Sequence, residues 1–271
     1  MQAVLIYTHL KANQRLAFSP PGISYYFHRI RRLTVLPDSR QHRGPHPEDS
    51  LLFCPAQVAL LRQAVSDLSL LLSRGYARDS ALKLVGDRFN LNKRQRSAIG
   101  RSACSDVEQE TRLRRLTGTP SDSALYIDGY NVLTILESAL AGAPVLLCRD
   151  AACRDLAALA GTWRKVQETL PALDLIWRHT CEAGFCACIF LLDRPVSNSG
   201  RLGKIILDLA QQQGLDWRVI LDSSVDRTLI QSKSLVATSD SYILDSCARW
   251  YNLAGAIINS QIHSPWIIDL S

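Results

Sequence analysis

The chain has 271 residues, of which 47% are hydrophobic and 21% are charged. This is the composition of an ordinary globular protein, and the length suffices for one large domain or two modest ones. No apolar run reaches the roughly 18–20 residues that a membrane helix needs, and the first residues lack the pattern of a secretory signal peptide. We therefore expect a cytoplasmic protein without a membrane partner.

Charge is unevenly distributed along the chain. Residues 1–120 hold 19 Lys and Arg against 9 Asp and Glu, a net charge of +10, whereas residues 121–271 hold 12 against 16, a net charge of −4. A basic half beside an acidic half fits a nucleic-acid-binding part joined to a metal-dependent site. It also fits two halves that dock on each other, so charge alone leaves both interpretations open.

The eight cysteines are irregularly spaced, and several of them lie in apolar segments. Buried, reduced thiols are the expected state in such a chain. Cys181, Cys186 and Cys188 are close in sequence, but no second CxxC motif or His pair completes a zinc site.

The N-terminal half divides into an extension and a helical domain. Residues 1–50 show no clean periodicity, and residues 37–47 are polar and rich in Pro and Gly, which is typical of a linker. Apolar residues then recur every three or four positions, which predicts a small all-helical domain over residues 51–118. Its first helix is predicted to begin at Pro55, the second near Asp79, and the third after Asn92 as N-cap.

The second and third of these helices resemble a helix-turn-helix. The third helix carries four basic residues: Lys93, Arg94, Arg96 and Arg101. We predict that this face contacts nucleic acid through phosphate groups. A small helical bundle with a solvated basic face is the alternative.

The C-terminal half alternates between apolar strands and helices. Residues 116–123, rich in Gly, Pro, Ser and Thr, mark the predicted boundary, and the second domain covers residues 122–271. The predicted strands are ALYID, PVLLC, CACIFLLD, WRVILD, SLVATSD and AGAIIN, with helices near 131–140, 155–182, 198–213 and 241–252. This pattern predicts an α/β fold with a mostly parallel sheet and helices on both faces.

Four of the predicted strands end in an Asp or are followed by one. These residues are Asp128, Asp193, Asp222 and Asp240. Because the carboxyl ends of parallel strands meet at one edge of a sheet, we expect the side chains to lie close together. Clustered carboxylates need a proton or a cation, and Mg²⁺ and Mn²⁺ favour oxygen ligands. Taken singly, an Asp after a strand is more often a helix N-cap or a turn former.

Two segments of this half resemble the NYN-type PIN-like nucleases. LYIDGYNVL (Leu125–Leu133) resembles their first strand and turn, and LVATSDSYILD (Leu235–Asp245) resembles a later strand that delivers a Ser or Thr and an Asp. Asp226 is similar to the acidic residue at the start of the preceding helix. Residues 55–260 also resemble an uncharacterised, mainly archaeal family, in which a segment like RGYARDSALKLVGDRFNLNKRQR precedes the IDGYN domain.

The resemblance implies a PIN-like fold and a set of site residues. It implies that Asp128, Asp226 and Asp240 are catalytic acids that bind Mg²⁺ or Mn²⁺. It also implies that Asp193 and Asp245 are further candidate metal ligands. Asn131 and Ser239 would orient ligands or water. Ordinary PIN nucleases also carry an acid on a helix in mid-domain, and Glu168 and Glu182 match that position poorly.

Two further features suggest phosphate contacts. The motif PVSNSG lies at a strand-to-helix turn, where Ser197, Asn198 and Ser199 are placed either to hold a phosphate at the helix N-terminus or to cap the helix. Arg154 follows another strand, and its side chain is suited either to grip phosphate or to pair with a neighbouring Asp.

The expected function is a metal-dependent nuclease, for which RNA is favoured over DNA as the substrate and neither is excluded. One alternative is a non-catalytic nucleic-acid-binding or adaptor protein that retains the fold, which the missing mid-domain acid favours. Another is a different phosphate-handling enzyme that uses the PVSNSG turn, although no GxxxxGKS motif supports a P-loop kinase. The sequence is also compatible with a homo-oligomer.

Overall fold

The computed structural model describes residues 44–118, 124–157 and 162–271, which belong to one compact unit. Residues 1–43, most of the predicted extension and linker, lie outside the described residues. Within the described ranges, no helix is both long and apolar enough to cross a membrane.

The first part of the described chain is helical. Its helices are α1 (Asp49–Leu52), α2 (Pro55–Ser73), α3 (Arg78–Arg88), α4 (Lys93–Ser102) and α5 (Asp106–Arg115). Pro55 occupies the first position of α2. A residue at this position donates no hydrogen bond within the helix, so the missing N–H of proline costs nothing there. Asn92 and Gln95 form a capping box at the start of α4. The predicted starts at Pro55 and Asn92 are confirmed, and the second helix begins one residue before Asp79.

A parallel sheet forms the centre of the second part. Its strands, in spatial order, are β5 (Trp217–Asp222), β4 (Cys188–Asp193), β1 (Leu125–Asp128), β6 (Leu235–Ala237) and β7 (Arg249–Trp250). Because successive residues of a strand face opposite sides, Phe190 enters one hydrophobic cluster while Ile189 and Leu191 enter another. The inner strands β4, β1 and β6 are largely buried on both faces, which explains their near-continuous apolar sequences, whereas the edge strand β5 leaves Ile220 exposed.

Helices cover both faces of this sheet. They are α6 (Gly129–Leu140), α7 (Thr169–Glu182), α8 (Ser199–Gln213), α9 (Val225–Gln231), α10 (Ser241–Leu244) and α11 (Leu253–Gln261). Residues of α6, α7, α8 and α11 enter one cluster, and residues of α9 and α10 enter the other. The prediction of an α/β fold with a parallel sheet, helices on both faces and a preceding helical part is confirmed.

A second, smaller sheet joins the two parts. Its strands, in spatial order, are β3 (Cys153–Arg154), β2 (Val145–Leu147) and β8 (Ile267–Asp269); β2 is antiparallel to β3 and parallel to β8. Leu146 and Ile268 belong to the same hydrophobic cluster as the buried residues of α2, α3 and α4. Arg62 of α2 also donates to the Asp269 carboxylate at 2.8 Å. The helical part therefore shares its core with the α/β part.

Three sequence-based element assignments were wrong. AGAIIN was expected to be a strand, but it lies within α11, which packs against α6 and α7 and buries Ile257 and Ile258. Short apolar runs do not distinguish a strand from a buried helix by periodicity. Of the helix expected over residues 155–182, the structure shows α7, and the described residues 155–157 and 162–168 are not helical. The helix expected over residues 241–252 is replaced by α10 and β7.

Candidate metal centre

Carboxylates from neighbouring elements meet at the carboxyl edge of the central sheet. Asp128 ends β1 and Asp193 ends β4; Asp240 follows β6 and Asp226 lies in the first turn of α9. We call these four residues the carboxylate edge. Because β4, β1 and β6 are adjacent and parallel, the residues that end or follow them lie on one edge of the sheet. The sequence-based expectation of such a convergence on one edge agrees with this topology.

Asp128 lies at the centre of the carboxylate edge and is 7% exposed. The pKa of this carboxyl is raised to about 7, chiefly by burial and also by the charges of Asp240 and Asp193, while hydrogen bonds from the Thr238 hydroxyl and the Asn131 N–H lower it. The Thr238 hydroxyl donates to Asp128 Oδ2 at 2.8 Å. Near neutral pH, Asp128 is therefore poised between its protonated and ionised forms.

The other members of the carboxylate edge also influence one another. Burial and the charge of Asp226 raise the pKa of Asp193, and burial and the charge of Asp240 raise the pKa of Asp226. Among the described residues, no Lys or Arg makes an ion pair with any of the four carboxylates. The cluster therefore concentrates negative charge that the rest of the described chain does not neutralise.

Asp222, at the end of β5, behaves differently. The Thr228 hydroxyl donates to its Oδ2 at 2.5 Å and the Ser224 N–H donates to its Oδ1 at 2.8 Å. These two bonds lower the pKa of Asp222. Asp222 is thus a turn former, which is the ordinary role of an Asp after a strand.

Asp240 and Asn131 organise the backbone around Asp128. Asp240 Oδ1 accepts the N–H groups of Tyr242 and Ile243, which makes Asp240 the N-cap of α10. Asn131 Oδ1 accepts the Ser239 N–H at 2.8 Å and so joins the start of α6 to the end of β6. The two side chains thus have structural roles at the same edge.

The donor set is suited to a hard divalent cation, since it consists of carboxylate oxygens. Within the described ranges, however, no group of three or more His, Cys, Asp or Glu side chains is arranged to hold one metal ion. Mg²⁺ commonly binds through one or two carboxylates and keeps several waters. The residues present therefore fit a water-rich ion better than a fully protein-ligated one.

Asp245 and Arg154 lie in a separate buried network. Arg112 donates to both oxygens of Asp245, at 2.6 and 2.9 Å, and to Asp150 at 2.8 Å. Arg154 donates to both oxygens of Asp150, at 2.8 and 2.6 Å, and to the Ser239 carbonyl at 2.8 Å. We call Arg112, Arg154, Asp150 and Asp245 the arginine network. In this network Asp245 pairs with Arg112. Arg154 pairs with Asp150, which is one of the two roles that the sequence suggested for Arg154.

A cleft of 510 Å³ lies beside this network, between the helical part and the α/β part. Arg78 and Arg101 line it from the helical part, and Asn131, Ser239 and Asp240 line it from the sheet edge. Glu108 also lines the cleft and pairs with Arg78 at 3.7 Å, so the cleft leads from a wall of mixed charge towards the carboxylate edge.

The PVSNSG turn connects β4 to α8 without capping the helix through a side chain. Asn198 is in the left-handed conformation, with φ of 69°, and its Nδ2 donates to the Trp163 carbonyl at 3.0 Å. Ser197 accepts the Trp163 N–H through its carbonyl at 3.1 Å, and Ser199 is buried. Ser197 and Asn198 thus fix the backbone of the turn to the segment around Trp163, whereas the Ser199 hydroxyl donates to the Arg194 carbonyl at 3.5 Å.

The basic residues of α4 are mostly engaged within the protein. Arg94 pairs with the buried Asp49, Arg96 donates to Asp87 at 2.8 Å, and Arg101 donates to the Asp155 carbonyl at 2.7 Å. Lys93 is exposed on the surface. Three of the four side chains thus stabilise the fold, and of these Arg101 also faces the cleft.

Sequence reasoning missed several residues of this region. Thr238 positions Asp128, and its only signal was its place in the VATSD segment. The buried Tyr130 hydroxyl has no hydrogen-bond partner in the described part of the chain. Its pKa is raised to about 12 by burial and by the charge of Asp193. The role of Arg112 depends on partners 38 and 133 residues away, which no local pattern reveals.

Comparisons with known proteins place the chain in a family. Residues 118–256 match a family described as a domain of unknown function (DUF5616), and residues 60–115 match one described as a protein of unknown function (DUF434). The uncharacterized protein MJ0935 of Methanocaldococcus jannaschii is 32% identical over 188 residues, which cover 69% of this chain and 89% of that protein. No solved structure matches the chain. All four residues of the carboxylate edge lie within the first matched range, and the chain belongs to the DUF5616 family.

Proposed function

We propose that this protein is a metal-dependent nuclease of the PIN-like type, with RNA as its substrate in the cytoplasm. The observation that carries the proposal is the uncompensated carboxylate edge. Burial and neighbouring carboxylates raise the pKa of Asp128, Asp193 and Asp226, and no described cation pairs with them. Such a cluster is suited to an external cation, and perturbed carboxyl groups of this kind are common at functional sites.

The residues of the edge have separable roles in this proposal. When bound, Mg²⁺ or Mn²⁺ would activate a water and stabilise charge on the phosphate. Asp128 and Asp240 would hold the ion directly, while Asp226 and Asp193 would orient its waters. Asn131 would keep Asp240 close to Asp128 by holding the Ser239 N–H.

The cleft supports nucleic acid as the substrate class. Arg78 and Arg101 lie on its wall, and Asp240 lies at its sheet edge, so a strand could contact cations while one phosphate reaches the carboxylates. Arg101 also pairs with Asp155, and this ion pair fixes the position of the Arg101 side chain. In this proposal the helical part guides the strand through the cleft wall rather than through the whole basic face of α4.

A non-catalytic nucleic-acid-binding protein with the same fold is the second candidate. The observation that favours it is the lack, in the part of the chain that the structure describes, of three acidic side chains arranged around one ion. Such a protein would use the cleft and the basic residues for binding, and its carboxylates would have no catalytic role.

A cleavage assay with matched variants tests the proposal. Labelled single-stranded RNA and DNA are incubated with Mn²⁺ or Mg²⁺ and wild-type protein, Asp128→Asn, Asp240→Asn or Asp208→Asn. Asp208 is an exposed residue of α8 outside the carboxylate edge, so its variant is the control. We expect metal-dependent cleavage of RNA that falls by at least about a hundredfold in the first two variants and persists in the control.

Equal cleavage by all four proteins would contradict the proposal. Salt-sensitive RNA binding without cleavage, unchanged in the two edge variants, would support the non-catalytic candidate instead.

A further inference from the structure

A small polar cavity lies beside the start of α8, where the PVSNSG turn meets the segment around Trp163. Its volume is 160 Å³, and Trp163, Arg164, Lys165, Asn198 and Arg201 line it. This volume is several times what one buried water requires. We propose that this cavity is a phosphate-binding site, distinct from the carboxylate edge.

The charge of the cavity is the first argument. Arg164, Lys165 and Arg201 all line it. Within the described ranges, none of the three makes an ion pair or a side-chain hydrogen bond, whereas most arginines of the helical part are paired. Three cations held around one cavity without a carboxylate attract a group with two negative charges and several acceptor oxygens.

The start of α8 is the second argument. This helix is 15 residues long, so its N-terminal N–H groups carry substantial positive potential. The side chain of the N-cap Asn198 accepts from none of them, and its Nδ2 donates to the Trp163 carbonyl. The Ser199 and Arg201 N–H groups already donate to the Val196 and Asn198 carbonyls, so among the described residues the Gly200 N–H is the first-turn donor left for an anion.

The indole of Trp163 is the third argument and is independent of the helix. Trp163 is 1% exposed, and its Nε1 is buried without a hydrogen-bond acceptor among the described residues. A buried donor without a partner is costly, so it indicates an acceptor that this chain does not itself supply. A phosphate oxygen in the cavity would be such an acceptor.

The backbone fixes these groups in register. The Trp163 N–H donates to the Ser197 carbonyl at 3.1 Å, and Thr162 forms a bridge with Ser197. The basic segment therefore runs beside the PVSNSG turn, and its side chains share the cavity with the first turn of α8. The same bonds explain why the turn keeps Asn198 in the left-handed conformation.

The position of the cavity suggests which phosphate it holds. Asp193 and Asn198 are five residues apart, so their Cα atoms are within about 17 Å. On the proposed function, a phosphate held here would belong to the substrate strand, and a terminal phosphate monoester carries more charge than an internal diester. Free phosphate shares this chemistry and is the other source that the test separates.

Binding assays without divalent metal test the site apart from cleavage. Calorimetry in EDTA compares inorganic phosphate, 5′-phosphorylated RNA, 3′-phosphorylated RNA and unphosphorylated RNA of the same sequence. The proteins are wild type, Trp163→Phe, Arg201→Ala and Arg178→Ala. Trp163→Phe removes the N–H but keeps an aromatic ring, and Arg178, an exposed arginine of α7 paired with Asp174, is the control.

We expect wild-type protein to bind phosphate and to prefer one phosphorylated RNA over the unphosphorylated RNA. Trp163→Phe and Arg201→Ala should each weaken phosphate binding by at least about fivefold, and Arg178→Ala should not. Phosphate binding without discrimination among the RNAs would still support the site and would assign it to a small phosphate compound. Wild-type affinity in both Trp163→Phe and Arg201→Ala would overturn the proposal.

The outcome is separable from that of the proposed function. Asp128→Asn should abolish cleavage and leave phosphate binding intact, whereas Arg201→Ala should lose phosphate binding and still cleave unphosphorylated RNA. Arg201 is exposed, so its variant remains informative if the buried Trp163→Phe substitution unfolds the protein.

Discussion

Two groups of aspartates in the same α/β part differ in whether arginines of the protein pair with them. In the arginine network, Asp150 is fully buried, and its pKa is nevertheless lowered because Arg154 and Arg112 outweigh the effect of burial. On the carboxylate edge, Asp128 is almost as buried, but its pKa is raised to about 7. The residue type and the burial are nearly the same, so the difference comes from the neighbouring charges.

This difference separates a structural role from a candidate functional role. The arginine network joins α5 of the helical part to β3 and to the end of α10, and its charges are satisfied within the protein. The carboxylate edge has no such internal partner in the described chain. The free energy of unfolding that its carboxylates influence therefore depends on protons and added cations. Acidic residues alone therefore do not identify a metal site; the absence of paired cations among described neighbours is the more informative feature.

Removal of Arg112 should have the largest effect. Arg112→Met would leave Asp150 buried beside a single arginine and Asp245 without its bidentate partner. We expect the free energy of unfolding to fall by about 3–5 kcal/mol, as is usual when one partner of a buried ion pair is removed. Urea denaturation measures this effect. The matched control is Arg178→Met, which breaks an exposed pair and should cost less than about 1 kcal/mol.

If Arg112→Met and Arg178→Met lowered the free energy of unfolding by a similar small amount, the arginine network would no longer differ from the carboxylate edge in having a structural role. That result would mean that Asp150 reaches solvent or becomes protonated when Arg112 is absent. The pH dependence of unfolding in Arg112→Met would identify protonation, because the loss would then diminish at low pH.

Asp128→Asn should raise the free energy of unfolding, whereas Arg112→Met should lower it. Because the pKa of Asp128 is about 7 in the folded protein and 3.8 as its ordinary value, the folded state binds more protons between about pH 4 and 7. The free energy of unfolding therefore falls as pH rises through this window and levels off above it. In EDTA, Asp128→Asn should stabilise the protein by about 2–4 kcal/mol at pH 8 and by much less at pH 4.

Urea denaturation at the two pH values measures this effect, with Asp208→Asn as the control that should change neither value. Added Mn²⁺ should stabilise the wild type and should stabilise Asp128→Asn much less, because the ion replaces the proton at the edge. Destabilisation by Asp128→Asn at pH 8 in EDTA would show that the ionised carboxylate already has a favourable environment without metal.

The sequence predicted the carboxylate edge for a reason that is general to parallel sheets. Apolar runs ending in Asp128 and Asp193 specify both the strand and its end, so the shared edge follows from the fold class. The same logic failed for AGAIIN, because an apolar run of six residues fits a strand or a buried helix equally well. Its packing against α6 and α7 and the side-chain cap that Asn252 provides at the start of α11 make it helical.

The place of Arg112 in the arginine network and the approach of Trp163 to the PVSNSG turn could not be predicted in this way. Arg112 comes from a helix that was assigned to a separate domain, and its carboxylate partners are distant in sequence. Trp163 and Arg164 lie in a segment that was expected to be helical, so their approach to the PVSNSG turn was not anticipated. Both features arise from tertiary contacts between segments without a shared periodic pattern.

Thr238 offers the most local test of the comparison, with the smallest expected effect. Its hydroxyl donates to Asp128 Oδ2 at 2.8 Å and accepts the Asp240 N–H at 3.1 Å, so it links two members of the carboxylate edge. Thr238→Val keeps the shape but removes both bonds, which should lower the free energy of unfolding by about 1–2 kcal/mol at neutral pH. Because the hydroxyl lowers the pKa of Asp128, its loss should also move that pKa above 7.

Thr238→Ser is the matched control, because it keeps the hydroxyl and loses only a buried methyl group. Thr238→Val loses stability through its missing hydrogen bonds and Thr238→Ser through its missing methyl group, so the pKa of Asp128 is the discriminating measurement. Carbon-13 NMR titration of the aspartate carboxyl groups in EDTA should show the upward shift in Thr238→Val and not in Thr238→Ser. The same pKa in both variants would mean that burial and the carboxylates of Asp193 and Asp240 set the proton affinity of Asp128 without Thr238.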